Sequence, residues 1–188
     1  NQLGFQLWKS QYHDAKLLAV LIFEYKQMTF DDINLLIKDV ISWDLCNHLC
    51  KNLIIKIKGY QLLIPQWVTS QHIYVKRAAF VLLACDVIHN KNILDSTLDT
   101  YLHFIRDYSH DEHIHIKKAI STALKEIGKK DFDYHEKALL LSYELIQDGD
   151  KVQRWIANDA KKELEKLVKV QGRSRLISRH SLMGKEEH

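Results

Sequence analysis

The sequence predicts an all-α protein, an α-solenoid of stacked antiparallel helix pairs. Residues that interrupt helices are scarce, with a single proline and six glycines among 188 residues, and these residue types punctuate sheets and loops. Apolar residues recur at the helical spacing, as they do at Leu17, Leu18 and Leu21. Several predicted helices also begin with similar residues at regular intervals. Together these observations favour repeated helix pairs over a fold that contains sheets.

The predicted helices follow one another with short connections. Residues 13–22 form the first helix. Thr29 is the expected N-cap of the second, because Asp31 and Asp32 follow it where the helix dipole favours acids. Gly128 is the expected C-cap of a later helix. After the first helix, the predicted helices are 30–38, which Thr29 caps, 42–57, 65–71, 73–89, 94–107, 113–128, which Gly128 ends, 132–147 and 152–170.

Four of these helices begin alike. Ala78 and Ala119 are 41 positions apart, and Lys118 and Arg154 are 36 positions apart. A helix pair that repeats every ~35–45 residues is typical of HEAT-like arrays, in which each pair buries its apolar face only by stacking on its neighbours. An irregular helical bundle is the alternative. The similar stretches are Asp14-Ala15-Lys16-Leu17-Leu18-Ala19, Lys76-Arg77-Ala78-Ala79-Phe80-Val81, Lys117-Lys118-Ala119-Ile120-Ser121-Thr122 and Gln153-Arg154-Trp155-Ile156-Ala157-Asn158.

Basic residues stand near the start of successive repeat helices. The formal net charge of +3 is a weak indication by itself, and the positions of the charges matter more. The helix dipole disfavours cations at a helix N-terminus, whereas free N–H groups there can hold a phosphate. Such sites along one concave face would follow the backbone of duplex DNA. The alternative is a solvated surface whose lysines pair with Asp111 or Glu112. The basic residues are Lys76, Arg77, Lys117, Lys118 and Arg154.

A second candidate site lies at the start of the helix predicted over 42–57. Trp43 and Asn47 are four residues apart and share a helix face, while Asp44 lies about 100° round from Trp43. An aromatic ring beside an acidic group can hold a cationic base or sugar through cation–π and charge contacts. The alternative is that Trp43 packs in the core and that Asp44 caps the helix or pairs with a nearby group.

The sequence predicts neither a metal nor a cofactor. His113 and His115 are two positions apart, so a helix would splay them, and Cys46, His48 and Cys50 do not complete a tetrahedral set. Gly-rich phosphate loops and hydrolase motifs are absent. The three cysteines form no CxxC pair, which indicates a reducing cytoplasm. The longest apolar run, of about eight residues, is too short to span a bilayer.

Composition divides the chain into residues 1–170, the helical repeat domain, and residues 171–188, a basic tail. The tail contains Arg173, Arg175 and Arg179 among serines, and we expect it to be mobile. It either touches phosphates or stays disordered.

An ordered set of stretches carries a family resemblance. These are Leu7-Trp8-Lys9-Ser10, His13-Asp14-Ala15-Lys16, Ser42-Trp43-Asp44-Leu45-Cys46, Val75-Lys76-Arg77-Ala78-Ala79-Phe80, Ile116-Lys117-Lys118-Ala119-Ile120, Ala123-Leu124-Lys125-Glu126-Ile127-Gly128-Lys129 and Arg154-Trp155-Ile156-Ala157. On these residues the chain resembles the AlkD-like DNA alkylation repair family over nearly its whole length. Relatives usually begin with a further helix or two.

The resemblance implies a HEAT-like solenoid that cradles DNA in a concave groove. Active members of the family are DNA glycosylases that excise cationic N3- or N7-alkylated purines from duplex DNA. By position, Trp43 lines the lesion and Arg77 contacts the backbone beside it. The protein would then be a cytoplasmic monomer, associated with the bacterial nucleoid, that needs no cofactor.

Two positions depart from the family's pattern. The catalytic aspartate of the family falls at Asn47, which keeps the hydrogen bonding but supplies no negative charge. A second lesion-facing tryptophan falls at Thr122. A negative charge that faces an oxocarbenium ion lowers the barrier substantially, and Asn47 lacks it. Thr122 removes an aromatic face. Both changes therefore indicate weakened or absent excision. Asp44 is the candidate substitute.

Three hypotheses stay open. The first is an alkylpurine glycosylase with Trp43, Asp44 and Arg77 at the site, where Trp43, Asp44 and Asn47 are the candidate catalytic residues. The second is a DNA-binding relative that has lost base excision, and the third is a HEAT-type scaffold for protein interactions. A steep dependence of affinity on salt would separate the DNA binders from the scaffold, and release of a free base would separate the first from the second.

Overall fold

The computed structural model describes residues 1–186, and helices dominate them. This confirms the predicted all-α class. The chain divides into two compact units, Asn1–Cys85 and Asp86–His188. The α-helices are α1 (Gln2–Trp8), α2 (His13–Ile22), α3 (Phe30–Lys38), α4 (Trp43–Asn52), α5 (Leu63–Trp67), α6 (Ile73–His89), α7 (Asp95–Tyr108), α8 (Ile114–Gly128), α9 (Phe132–Gln147), α10 (Lys151–Leu164) and α11 (Leu182–Glu186). Short 3₁₀ helices lie at Tyr25–Gln27, Ile54–Lys56 and Tyr60–Leu62, and the strands β1 (Leu167–Val168) and β2 (Ile177–Ser178) pair antiparallel.

The first unit is organised around α2, α4 and the start of α6. Helix α2 packs against both α1 and α4. Thr29 caps α3 as predicted: its hydroxyl accepts a hydrogen bond from the Asp32 N–H, and the Asp32 carboxylate accepts one from the Thr29 N–H. Such a cap stabilises a helix start by about 1 kcal/mol. Fully buried side chains fill the core, among them Ile33, Ile37, Leu45, Leu49 and Ile54.

Hydrogen bonds between α2 and α4 keep one sequence offset. His13 bonds to Asp44 and His48 bonds to the Leu17 carbonyl, and both pairs are 31 positions apart. A step of four residues on one helix is therefore matched by the same step on the other, so the two helices run in the same direction and in register. We call such cross-helix pairs at a constant offset rungs.

The second unit has rungs with a longer offset of 38 positions. They join α7 to α9 and α8 to α10. Helix pairs α7–α8 and α9–α10 are therefore two copies of one repeated element, as the spacing of the sequence predicts. The rungs are Asp99 to Lys137, Arg106 to Glu144, Ser121 to Asp159 and Lys125 to Glu163.

Several boundaries differ from the prediction. The sequence analysis assigned no element to α1, and the helix predicted over 42–57 ends at Asn52. The helix predicted over 152–170 ends at Leu164, because the next segment contains β-branched Val168 and Val170 and contributes to β1. Helices α2, α4 and α6 begin 30 positions apart, which is shorter than the predicted repeat.

Gly128 has a different role from the predicted C-cap. It is the last residue of α8, and the cap position is Lys129 with ordinary right-handed geometry. A Cβ on Gly128 would lie 2.5 Å from Cδ2 of Leu164, on α10. The glycine therefore permits a close approach of two helices rather than a left-handed turn.

The segment that follows α10 folds against the second unit. The guanidinium of Arg175 donates to the Val87 carbonyl at 2.9 Å and to the Glu126 carboxylate at 2.8 Å. The Leu176 N–H donates to the Lys129 carbonyl at 2.9 Å. Gly172 has a φ of 78°, the left-handed conformation that glycine adopts easily. The predicted division at residue 170 and the mobility of the tail stay predictions, and the last two positions of the tail lie outside the described residues.

Candidate functional site

The first turn of α4 contains the predicted site residues of the first unit. The Trp43 side chain is 53 % exposed, so it does not pack in the core. Asp44 and Asn47 are half-buried beside it, whereas Leu45 and Cys46 are fully buried. The polar face of α4 therefore presents an indole ring, a carboxylate and an amide to solvent.

Asp44 is held by its neighbours. Its Oδ2 atom lies 2.7 Å from Nε2 of His13, the first residue of α2. The nearby Ser42 hydroxyl is the largest cause that lowers the pKa of Asp44, to about 2; burial opposes it, and the hydrogen bond with His13 contributes less than either. The carboxylate is therefore ionised at neutral pH, and it points to His13.

Asn47 is joined to the next repeat. Nη2 of Arg77, on α6, donates a hydrogen bond to Oδ1 of Asn47 at 3.0 Å. Arg77 is only 7 % exposed, so a guanidinium lies close to the surface that Asn47 shares with Trp43. Burial raises the pKa of Tyr74, one turn earlier on α6, so its phenol stays protonated at neutral pH. The pair of Asn47 and Arg77 carries a net positive charge.

The predicted basic residues occupy one position of the repeat. Lys76, Lys117 and Arg154 are each the fourth residue of their helix, α6, α8 and α10. Lys118 and Arg154 are exposed, and Lys117 is half-buried. The structure thus confirms that these cations recur in register, while their contact with DNA stays a prediction.

The expected role of backbone N–H groups needs correction at α10. The N–H of each of these fourth residues donates to the carbonyl of the N-cap residue, as Arg154 does to Asp150 at 3.0 Å. At α10 the carboxylate of Asp150 also accepts from the N–H groups of Val152 and Gln153. At α10 a carboxylate therefore occupies the place where a phosphate was expected, so that only the side chains of this helix start remain to contact an anion.

Thr122 lies on the exposed side of α8. Its hydroxyl donates to the Lys118 carbonyl one turn earlier at 2.9 Å, which is an ordinary arrangement for threonine within a helix. The residue presents no aromatic surface where the resemblance places a tryptophan.

The candidate metal ligands serve other purposes. His48 bonds to the Leu17 carbonyl, and His113 is the N-cap of α8 and accepts from the His115 N–H. Cys46 and Cys50 are buried, and burial raises the pKa of the Cys50 thiol. Within residues 1–186, no group of three potential ligands is close enough to hold a metal ion. Nor is any helix of that part long and apolar enough to cross a membrane.

Sequence reasoning missed two contacts. The first is the pairing of Asp44 with His13, and the second is the cation–π contact of Lys117 with Trp155, whose ring centroid lies 4.8 Å from Nζ. The similar helix starts indicate which helices stack on each other, but they do not give the offset that pairs these residues.

Comparisons with known proteins agree with this architecture. The family model described as "DNA alkylation repair enzyme" matches residues 1–164. The chain therefore belongs to the DNA alkylation repair family. No curated protein matches it.

Three solved structures have the same fold. One belongs to "a new family of proteins related to the HEAT-like repeat DNA glycosylases with affinity for branched DNA structures", with 17 % identity, a TM-score of 0.68, and coverage of 99 % of this chain and 73 % of that one. The smu.31 protein of Streptococcus mutans UA159 has 19 % identity and a TM-score of 0.68, with coverage of 86 % and 81 %. AlkD2 from Streptococcus mutans has 20 % identity and a TM-score of 0.68, with coverage of 86 % and 79 %. The chain thus has the all-α fold of proteins related to the HEAT-like repeat DNA glycosylases.

Proposed function

We propose that this protein binds DNA and does not excise alkylated purines at the rate of an active glycosylase. The neutral amide of Asn47, held by Arg77 at 3.0 Å, carries the proposal. Breaking the N-glycosidic bond builds positive charge on the deoxyribose, and an amide supplies no negative charge to stabilise it. Removing one such stabilising group costs on the order of 10²–10³ in rate.

The exposed cations support DNA as the ligand. Lys118 and Arg154 are exposed on α8 and α10, and Arg77 lies beside Asn47. The solved relative with affinity for branched DNA has the same fold. Phosphate neutralisation by such side chains supplies most of the affinity of a DNA-binding protein.

Trp43 supports recognition of the lesion. A purine alkylated at N3 or N7 is a cation, and its attraction to an indole ring is about 0.5–2 kcal/mol stronger than that of a neutral ring. The Trp43 ring is exposed beside the ionised Asp44. An alkylated purine in a duplex therefore fits this surface better than an unmodified one.

The first experiment measures release of free 7-methylguanine and 3-methyladenine from methylated duplex DNA. We expect no release above background by the native protein and measurable release by Asn47→Asp, because the variant restores a carboxylate beside Trp43. Asn47→Ser is the matched control, since it removes the amide without adding a charge. Release by the native protein at a rate that Asn47→Asp does not exceed would contradict the proposal.

The second experiment measures affinity for unmodified duplex at several salt concentrations. We expect a steep loss of affinity with salt, and a slope reduced by about 1 in Lys118→Ala, which removes one phosphate contact. Lys137→Ala is the control, because Lys137, on α9, is paired with Asp99 of α7. Binding that does not depend on salt would favour the scaffold for protein interactions instead.

Excision through Asp44 is the second candidate function. Its support is the ionised carboxylate next to Trp43. In this case the native protein releases a methylated purine, and Asp44→Asn abolishes the release. His13→Ala is the informative partner variant, because it frees the carboxylate from its hydrogen bond and should increase the release.

A further inference from the structure

Trp155, on α10, is exposed, whereas the two residues that follow it are buried. Its side chain is 37 % exposed, while Ile156 and Ala157 have no exposed surface. Nζ of Lys117, on α8, lies 4.8 Å from the centroid of the indole. The contact orients the ring at the surface between α8 and α10.

Positive charge surrounds this ring. Lys151 lies one turn before Trp155, Arg154 directly precedes it, and Lys118 follows Lys117. We call these five residues the Trp155 face. Within residues 1–186, none of its four cations has a carboxylate within ion-pairing distance.

The nearest acid of α10 is already engaged. Asp159 accepts hydrogen bonds from Ser121 at 2.6 Å and from Lys125 at 2.7 Å. Its charge is therefore neutralised away from the Trp155 face. The face combines an aromatic ring with four positive charges, and this combination suits a nucleic acid whose bases are accessible.

We propose that the Trp155 face binds DNA that contains unpaired bases, such as a gap or a junction. An unpaired base stacks on Trp155 while Lys117, Lys118 and Arg154 contact the adjoining phosphates. Bases inside an intact duplex already stack on each other, so the ring adds little affinity for them. The inference rests on the proposed binding of DNA and specifies the form of DNA that the second unit prefers.

A second pair in the same unit supplies a matched control. Nζ of Lys161 lies over the ring of Tyr143, also at 4.8 Å from the centroid. Its surroundings are acidic, because the Tyr143 hydroxyl donates to Glu165 and Glu144 is the next residue. This pair has the cation–π geometry without a basic surface, so it should not bind DNA.

The test compares affinities for two DNAs of the same sequence, an intact duplex and a duplex with a short single-stranded gap, by fluorescence anisotropy. We expect Trp155→Ala to weaken binding of gapped DNA by about 5- to 150-fold, the range for loss of one stacked base. Trp155→Phe should weaken it less, and binding of the duplex should change less than twofold. Tyr143→Ala should change neither affinity.

Two results would overturn the proposal while leaving DNA binding intact. One is an unchanged affinity of Trp155→Ala for gapped DNA, and the other is an equal loss for both DNAs. If the native protein binds neither DNA in a salt-dependent way, the proposed function itself fails, and this outcome is distinct from both.

Emission from Trp155 gives an independent measurement that does not need its replacement. Trp8 and Trp67 are 3 % and 4 % exposed, so Trp155 is the accessible indole that remains in a Trp43→Phe variant. We expect gapped DNA to quench the emission of this variant by stacking, and intact duplex to quench it far less. Equal quenching by the two DNAs would contradict stacking of an unpaired base.

Discussion

The polar pairs that join stacked helices differ in chemistry between the two units. In the second unit, Lys125 lies within 4 Å of both Asp159 and Glu163, and Lys129 bridges Glu126 and Glu163. Opposite charges alternate along the interface of α8 and α10. In the first unit, a rung joins His13 to Asp44, and a separate hydrogen bond joins Asn47 to Arg77 of the next repeat. Both pairs lie beside the exposed Trp43.

Exposure separates the two sets. The side chains of Lys125 and Lys129 are 17 % and 22 % exposed, whereas those of His13 and Asp44 are each 42 % exposed. A shielded ion pair contributes more to stability than one in water. The comparison indicates that polar pairs between stacked helices are shielded from solvent in the second unit and accessible to it in the first.

The largest expected effect comes from forcing the rungs of the second unit apart. Gly128→Val places a branched side chain where a Cβ alone would meet Leu164 at 2.5 Å. Overpacking of this kind lowers the free energy of unfolding by about 2–3 kcal/mol, measured by urea denaturation followed by circular dichroism. In a Leu164→Ala background the same substitution should cost less. If the losses in unfolding free energy from Gly128→Val and Leu164→Ala are strictly additive, the two side chains are not in contact.

The next largest effect comes from removing Lys125, the central cation of the ion pairs between α8 and α10. Lys125→Met leaves Asp159 and Glu163 without their shared partner, and we expect a loss of roughly 1–2 kcal/mol in the free energy of unfolding. Lys137→Met is the control, because its pair with Asp99 is exposed and screened by solvent, so we expect a smaller loss than in Lys125→Met. Equal losses in the two variants would remove the distinction between shielded and exposed rungs.

Acid should weaken the same ion pairs between α8 and α10. Burial alone would raise the pKa of Asp159 and Glu163, but hydrogen bonds from Lys125 and Lys129 outweigh it and lower both values. A carboxyl group with a lowered pKa in the folded state stabilises it above the ordinary value, about pH 4, and loses this contribution as pH falls through the lowered value. Urea denaturation between pH 6 and pH 3 should therefore show a decrease that is smaller in Lys125→Met. A decrease of the same size in both proteins would assign it to other groups.

The smallest expected effect is a change in the pKa of Asp44, in the first unit, and not a change in stability. Carbon-detected NMR of the Asp44 carboxyl group should give a midpoint near pH 2. Ser42→Ala should raise this pKa more than His13→Ala does, because the Ser42 hydroxyl is the larger cause. A midpoint near the ordinary value of about 3.9 in the native protein would show that neither neighbour holds the carboxylate.

Much of the fold follows from local patterns in the sequence. Scarce helix breakers and apolar periodicity predict the helices, and Thr29 marks the start of α3 because its cap is formed by residues three positions apart. Helix ends were less predictable. The C-terminal end of α10 depends on the strand pairing of β1 with β2, which no local pattern of α10 contains.

The candidate site was predictable only in part. The shared helix face of Trp43 and Asn47 follows from their spacing of four residues. The partners of these groups lie in other repeats, and the offset between repeats depends on connection lengths that periodicity does not reveal. Hence the bond of Asp44 to His13 and the contact of Lys117 with Trp155 required the structure, even though each residue had been noticed in the sequence.

A constant offset makes the chain unequally tolerant of inserted residues. An extra residue in the connection between α8 and α9 lengthens a surface turn and leaves each rung facing its partner. An extra residue after Ala157 rotates the rest of α10 by about 100°, which turns Asp159 and Glu163 away from α8 while Trp155 keeps its place over Lys117. Such an insertion would uncouple the stability of the stack from the composition of its binding surface, so natural length variation should concentrate between helices.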